Sequence, residues 1–398
     1  MIQTINSASF SLHLQHGFPA SLQQRRRQML NALQYKEDKF SKVPGLKGST
    51  LNNSFESSYG YKLVRKQKVD RPPSSTQSEN EFILQPQDDH IMTFQSSLGM
   101  QVALFLRFCR PHSIIGTIIG VTSVSLLPIT SIGDLSPAVF TGLLKALIPM
   151  ACMNTYVTCV NQVADVEIDK INKPHFVLAA GEYTIEQGKA IVAALALMSL
   201  GMGIMFKSPP IFAGLLVYFL LGTAYSVELP LLRWKKNPFL AALCLVAVCG
   251  LIIPLVAFIH MEKYVLRRQL VFTRSLGFTI FAYILFGIVI ALMKDIPDVE
   301  GDRVFGIQTF SLLYDKKKVF DHCISIMLTV YGFAMVIGAL SSSLQNKLIY
   351  VFGHCALGFI FWTRAQSLNL DDNLAVESFY MFFWKLYYVE YVLIHFLG

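Results

Sequence analysis

Apolar stretches of about 17–25 residues recur along the chain, near residues 111–129, 138–160, 188–206, 209–227, 239–260, 273–293, 319–340, 346–363 and 378–397. Each is long enough to cross ~30 Å of hydrocarbon at ~1.5 Å of helical rise per residue. The pattern therefore predicts an all-α integral membrane domain over residues 101–398, with about nine spanning helices. Residues 72–100 mix Pro, Ser, Asn and acids with little periodicity and read as a linker. The stretch before them, residues 1–71, is polar and separate in character.

Composition supports this division: 53% of the 398 residues are hydrophobic and only 15% are charged. The net charge of +8 sits in the leader, where residues 1–71 hold 12 Lys/Arg against 4 Asp/Glu, and the rest of the chain is neutral. No acid precedes Glu37, and Arg25, Arg26 and Arg27 lie among Ser, Gln and Asn, the composition of an organelle transit peptide. A secretory signal is disfavoured by the lack of an apolar run of the required length in residues 1–24. A nucleic-acid-binding arm is disfavoured because no aromatic-interleaved binding fold follows. The seven cysteines are odd in number, lie in or near apolar runs and show no Cys-x-x-Cys spacing, so they read as core thiols.

The loops add orientation. Lys170 and Lys173, Arg233, Lys235 and Lys236, Arg303, Lys316, Lys317 and Lys318, and Arg364 all follow an even number of crossings, with Arg107 and Arg110 on the same side. The opposite side has one basic cluster, Lys263, Arg267, Arg268 and Arg274. The positive-inside tendency then puts the N-terminus and the even loops in the stroma or cytosol.

An internal repeat carries the chemistry. Asp-Val-Glu-Ile-Asp-Lys at 165–170 returns as Asp-Val-Glu-Gly-Asp-Arg at 298–303, each at the end of an even-numbered span, so the molecule reads as two related halves. Asp165 with Asp169, and Asp298 with Asp302, are four residues apart and share a face if the helix continues for a turn. Paired like charges call for a cation between them, and Mg²⁺ prefers carboxylate, water and phosphate oxygens. Asn161, one turn before Asp165, extends the first face with a neutral ligand, while Lys294, one turn before Asp298, brings a positive charge for phosphate. Two such faces would hold two metal ions around one diphosphate and neutralise it as it leaves. The ligand set expected on this reading is Asn161, Asp165, Asp169, Asp298 and Asp302, the four aspartates being the catalytic candidates.

Further candidates flank the same mouth. Tyr225, Arg233 and Lys235 follow the fourth span, with Arg233 suited to a bidentate grip on diphosphate oxygens and Lys235 to a point-charge contact. Arg110 and His112 stand at the start of the first span; membrane anchoring explains such basic residues as well as ligand binding does. Acid pairs in a transporter's ion path would sit near the bilayer midplane, whereas these lie at span ends.

Asn161-Gln162-Val163-Ala164-Asp165-Val166-Glu167-Ile168-Asp169 resembles the first motif of the UbiA superfamily of membrane prenyltransferases. Lys294-Asp295-Ile296-Pro297-Asp298-Val299-Glu300-Gly301-Asp302 resembles the second motif of its plant homogentisate and flavonoid branch. The similarity covers roughly residues 100–398 and includes Gly222-Thr223-Ala224-Tyr225-Ser226, Leu229–Lys235 and Phe383–Tyr388. It implies a UbiA-like helical fold of two halves around a central cavity, a Mg²⁺-bridged prenyl diphosphate such as dimethylallyl or geranyl diphosphate, a phenolic acceptor and a multi-pass site in a plastid membrane. After Asn172-Lys173-Pro174 the chain reads His175-Phe176-Val177-Leu178-Ala179-Ala180-Gly181, lacking the second proline and the serine usual in the branch. That departure tilts the expected acceptor from homogentisate, with phytyl transfer in tocopherol synthesis, toward a flavonoid, isoflavonoid, chalcone or coumarin. A membrane cation transporter built on the same repeat is the reading from another class.

Overall fold

The computed structural model describes residues 61–64, 83–86, 94–341 and 343–397. The transit peptide expected over 1–71, apart from residues 61–64, and most of the linker over 72–100 lie outside them. The chain divides between Met92 and Thr93 into two units. In the first, β1 (Tyr61–Val64) pairs antiparallel with β2 (Ile83–Pro86). The second is helical throughout its described elements.

Its helices are α1 (Phe94–Cys109), α2 (Pro111–Leu126), α3 (Pro137–Ala164), α4 (Val166–Asn172), α5 (Ile185–Met205), α6 (Pro209–Ser226) and α7 (Pro238–Val265). They continue with α8 (Arg274–Met293), α9 (Val299–Val304), α10 (Phe310–Tyr314), α11 (Lys316–Ala339), α12 (Leu344–Gln366) and α13 (Asn373–Leu393). The starts are written in the sequence. Ser136 caps Val139 N, Thr184 forms a capping box with Gln187, Asn237 caps Phe239 N and Leu240 N, and Asp372 caps Leu374 N and Ala375 N. Proline occupies the first turn of α2, α3, α6 and α7, where its missing N–H costs nothing.

Every predicted apolar stretch coincides with a helix, and the all-α membrane fold stands. The count of nine spans is not confirmed. Among the described residues seven helices are long and apolar enough to cross a membrane, and an eighth follows if the bent pair Gly99–Cys109 and Pro111–Leu126 is one span. The 72° bend falls at Arg110, held at φ 55° before Pro111, because a residue preceding proline is pushed out of the right-handed helical region. The ninth stretch, α13, is long enough but carries Glu377, Lys385 and Glu390.

Helix α13 packs on α2 and α8 through aromatic rings. Tyr283 stacks on Tyr391 at 3.9 Å, and Phe286 meets Phe383 at 5.3 Å. Gly120 lets Tyr391 lie against α2: a Cβ there would stand 2.8 Å from the Tyr391 ring. The same helix buries Glu390, whose Oε1 lies 3.0 Å from His354 Nε2 while His354 Nδ1 is 2.7 Å from the Tyr350 carbonyl. Both side chains are 0% exposed. Removing one partner strands the other in apolar surroundings, so Glu390→Ala is expected to lose ~3–5 kcal/mol of stability. Thermal unfolding of the detergent-solubilised protein checks this; the double change Glu390→Leu/His354→Leu should recover much of the loss, since it strands neither group.

Candidate active site

The two acidic motifs sit at breaks between a long helix and a short one. Asp165 ends α3 and starts α4 at φ −113°, ψ 14°, and Asp298 starts α9 at φ −91°, ψ 0°. The four-residue relation survives the break, with Asp169 N donating to Asp165 O at 2.8 Å and Asp302 N to Asp298 O at 3.0 Å. Each pair therefore keeps a common face, though the long helix does not run straight through it.

Asn172, the last residue of α4, joins the two motifs. Its Nδ2 donates to Asp298 O at 3.1 Å and its Oδ1 accepts from Gly301 N at 2.9 Å. The approach requires a glycine, because a Cβ at Gly301 would lie 2.3 Å from Asn172 Oδ1. The repeat seen in the sequence thus becomes a face-to-face contact between α4 and α9.

Cations hold most of the acids. Asp165, 4% exposed, accepts from Arg233 Nη2 at 3.1 Å, from Asn161 Nδ2 at 2.7 Å and from Lys235 Nζ. Lys173 pairs with Asp298 and Lys294 with Asp295. The carboxylates of Asp169 and Asp302 accept no hydrogen bond and form no ion pair among the described residues. Burial pushes the Asp169 carboxyl up to about 6 and the Asp302 carboxyl up to about 7. A nearby cation would reverse both shifts.

These groups form the mouth of one cavity of about 660 Å³. Asn161, Asp165, Asp169, Asp298, Asp302, Lys294, Lys235, Tyr225, Arg110 and His112 all line it. Deeper walls come from Leu221, Cys244, Val248, Ile253, Ile290 and Tyr387. Helix α7 reaches this wall through a π-helical turn at Ala247–Ile252, just before Pro254. Such turns recur at functional sites because they re-aim side chains.

Arg233 alone among the expected site residues is absent from the lining. It is 7% exposed, sits at φ 59° and also donates to Ser226 O at 3.1 Å. It braces Asp165 from behind, as its short tether to Ser226 dictates, while Lys235 takes the exposed side. Nor do the five expected metal ligands form a preassembled cluster: among the described residues no three carboxylate, imidazole or thiolate side chains are gathered at metal-binding separation.

The structure adds residues not singled out from sequence. Lys173 lies one turn past Asp169, a spacing visible in the sequence, but its partner is Asp298, 125 residues away. Phe176 stacks under the Arg110 guanidinium at 4.8 Å and also faces Lys173 at 5.9 Å. Asp295 was present in the second motif without a role. The loop after the first motif, which departs from the familiar pattern, lines the cavity from Lys173 to Val177.

A membrane-embedded helical bundle with a charged mouth over an apolar cavity is the architecture of an enzyme acting on a lipid-like substrate with an anionic head. Residues 118–386 match the model of the UbiA prenyltransferase family, and the chain belongs to that family. It is a membrane prenyltransferase. The chain is 45% identical over 347 residues to coumarin 8-geranyltransferase 1, chloroplastic, of Citrus limon, covering 87% of this chain and 84% of that one. It is 50% identical over 292 residues to homogentisate geranylgeranyltransferase of Hordeum vulgare, covering 73% and 72%. It is 39% identical over 317 residues to naringenin 8-dimethylallyltransferase 2, chloroplastic, of Sophora flavescens, covering 80% and 78%. The solved structure of a UbiA homolog from Archaeoglobus fulgidus bound to GPP and Mg²⁺ shares the fold at a TM-score of 0.50 and 14% identity, covering 73% of this chain and 99% of that one.

Three substitutions test the mouth. Gly301→Val forces α4 and α9 apart and is expected to lower kcat/KM at least tenfold, about 1.4 kcal/mol of transition-state stabilisation, with the helical content unchanged by circular dichroism. Asp165→Ala or Asp298→Ala is expected to abolish turnover while the protein still inserts, read by product mass and membrane fractionation.

Proposed function

We propose that this enzyme moves a dimethylallyl or geranyl group from its diphosphate to a ring carbon of a plant phenolic, namely a flavonoid, isoflavonoid, chalcone or coumarin. It works in a plastid membrane and uses Mg²⁺. The observation that carries the reading is the single cavity joining a ring of acids and cations to an apolar, aromatic-walled interior. A diphosphate belongs at the first and a prenyl chain in the second. The Citrus limon and Sophora flavescens relatives are named for geranyl and dimethylallyl transfer to a coumarin and a flavanone.

The residues present fit Mg²⁺, which binds through one or two carboxylates and completes its shell with phosphate oxygens and water rather than in an all-protein cage. Asp169 and Asp302, buried and with carboxylates that accept no hydrogen bond among the described residues, would hold it with Asn161, Asp165 and Asp298. When bound it neutralises the diphosphate and eases cleavage of the carbon–oxygen bond.

Lys235, Lys173 and Lys294 then exchange their carboxylate partners for diphosphate oxygens, and Arg110 adds a guanidinium whose Nε is buried without a hydrogen-bond partner. Phe176 keeps Arg110 and Lys173 at the mouth. As the bond breaks, positive charge builds on the first prenyl carbons. Tyr225 and Tyr387 on the cavity wall offer ring faces to that charge and exclude water. A carbon ortho to a phenol oxygen attacks, and loss of the ring proton restores aromaticity.

The Hordeum vulgare relative favours one second reading, in which the acceptor is homogentisate. Coupling there releases CO₂, which ortho attack on a flavonoid or coumarin does not. Membranes carrying the chain, incubated with a matrix of prenyl diphosphates and phenols, should yield prenylated flavonoid or coumarin without CO₂. Homogentisate as the one accepted ring would reverse the assignment. Chelation of divalent metal should stop turnover, and added Mg²⁺ should restore it.

A further inference from the structure

The mouth of the cavity holds six acidic side chains, and five of them belong to the two motifs. Asp165, Asp295 and Asp298 are paired with cations, while Asp169 and Asp302 face the expected metal. The sixth, Glu377, comes from neither motif. It stands on α13, lines the same cavity, is half-buried, and makes no hydrogen bond or ion pair among the described residues.

Its level and neighbours are informative. Glu377 lies four residues inside the start of α13 and Asn161 three residues before the end of α3, so both stand about one turn within the bundle. On the same side of α13 the cavity is lined by Asn373, Glu377, Tyr380, Trp384 and Tyr387, at helical spacing, running from polar to aromatic. Trp384 is flanked by Tyr380 at 6.2 Å, edge to face, and by His112 at 5.4 Å between ring centroids. A flat ring resting on these faces would carry its hydroxyl toward Glu377 and its ortho carbon toward the first carbon of a prenyl chain held by the motifs.

We infer that Glu377 is a catalytic residue on the acceptor side, accepting the phenol hydroxyl of the ring that is prenylated. The inference rests on the acceptor being a phenol, as proposed above. As the ortho carbon bonds to the first prenyl carbon, the breaking carbon–oxygen bond leaves its electron pair on the diphosphate, and the hydroxyl proton passes to the Glu377 carboxylate. The ring is then a neutral dienone. Its sp³ ring carbon gives its hydrogen as a proton to the departing diphosphate, and Glu377 returns its own proton to the oxygen. One ring hydrogen has been replaced by a prenyl group and the diphosphate leaves protonated, so atoms and charges balance. A carboxylate free of counter-ions suits this work, since pairing with lysine would lower its basicity.

E377Q keeps the shape and loses the base. Native protein, E377Q and E377D are compared in detergent micelles for donor and acceptor kinetics, using phenols of graded acidity. The expected result is a ~100-fold fall in kcat/KM for the acceptor in E377Q, the size of a lost general base. The donor KM should stay within about twofold, because ground-state donor contacts are untouched. More acidic phenols should lose less, and E377D should regain part of the rate. Unchanged acceptor kinetics in E377Q, a loss independent of phenol acidity, or a matching rise in donor KM would each overturn the assignment. Native protein that prenylates no phenol would remove the parent reading and this one together; native activity on phenols with a fully active E377Q removes only this one.

Discussion

Six carboxylates gathered at one end of an apolar bundle repel one another, and the rest of the active site is arranged around that constraint. In low-dielectric surroundings each charge must be paired, solvated or neutralised. Lysines answer it locally: Lys235 at Asp165, Lys173 at Asp298 and Lys294 at Asp295. In the reaction proposed above, the same lysines turn from the acids to the diphosphate when the donor arrives. The carboxylates of Asp169 and Asp302, which burial pushes up to about 6 and about 7, are left without an ion-pair partner among the described residues.

A rigid link holds the two acid pairs together, and Asn172 provides it. Side-chain bonds to Asp298 O and Gly301 N fix α4 against α9 with no charge spent on the contact. Behind that link the bundle becomes apolar within a turn or two, and aromatic rings from α8 and α13 fill the wall. The cavity thus runs from charge to hydrocarbon, the polarity the amphiphilic donor proposed above would need.

Much of the fold was legible because a bilayer leaves few choices. Backbone groups in hydrocarbon must bond within their own helix, so apolar runs of the right length read directly as spans. Where span 1 bends and where α3 and α8 break were not legible in the same way. The Arg110–Pro111 pair carries a local signal, but the break at Asp165 has no proline or glycine beside it. It is set by the contacts Asp165 makes with Arg233 and Lys235, both far along the chain. The site shows the same split. The cavity lining contains nine of the ten expected site residues, whereas Arg233 stands behind Asp165, tied to Ser226 O.

The sequence alone determined the helical class, the repeat and the chemical kinds of group at the mouth, since apolar length and four-residue spacing are local properties of the chain. Only the tertiary structure decided that Lys235 neutralises Asp165 and Lys173 neutralises Asp298, that Asn172 and Gly301 join the halves, and that Glu377 has no counter-ion among the described residues. Those outcomes depend on contacts between residues tens to hundreds of positions apart, and pairing across such distances is set by how helices pack, which periodicity does not encode.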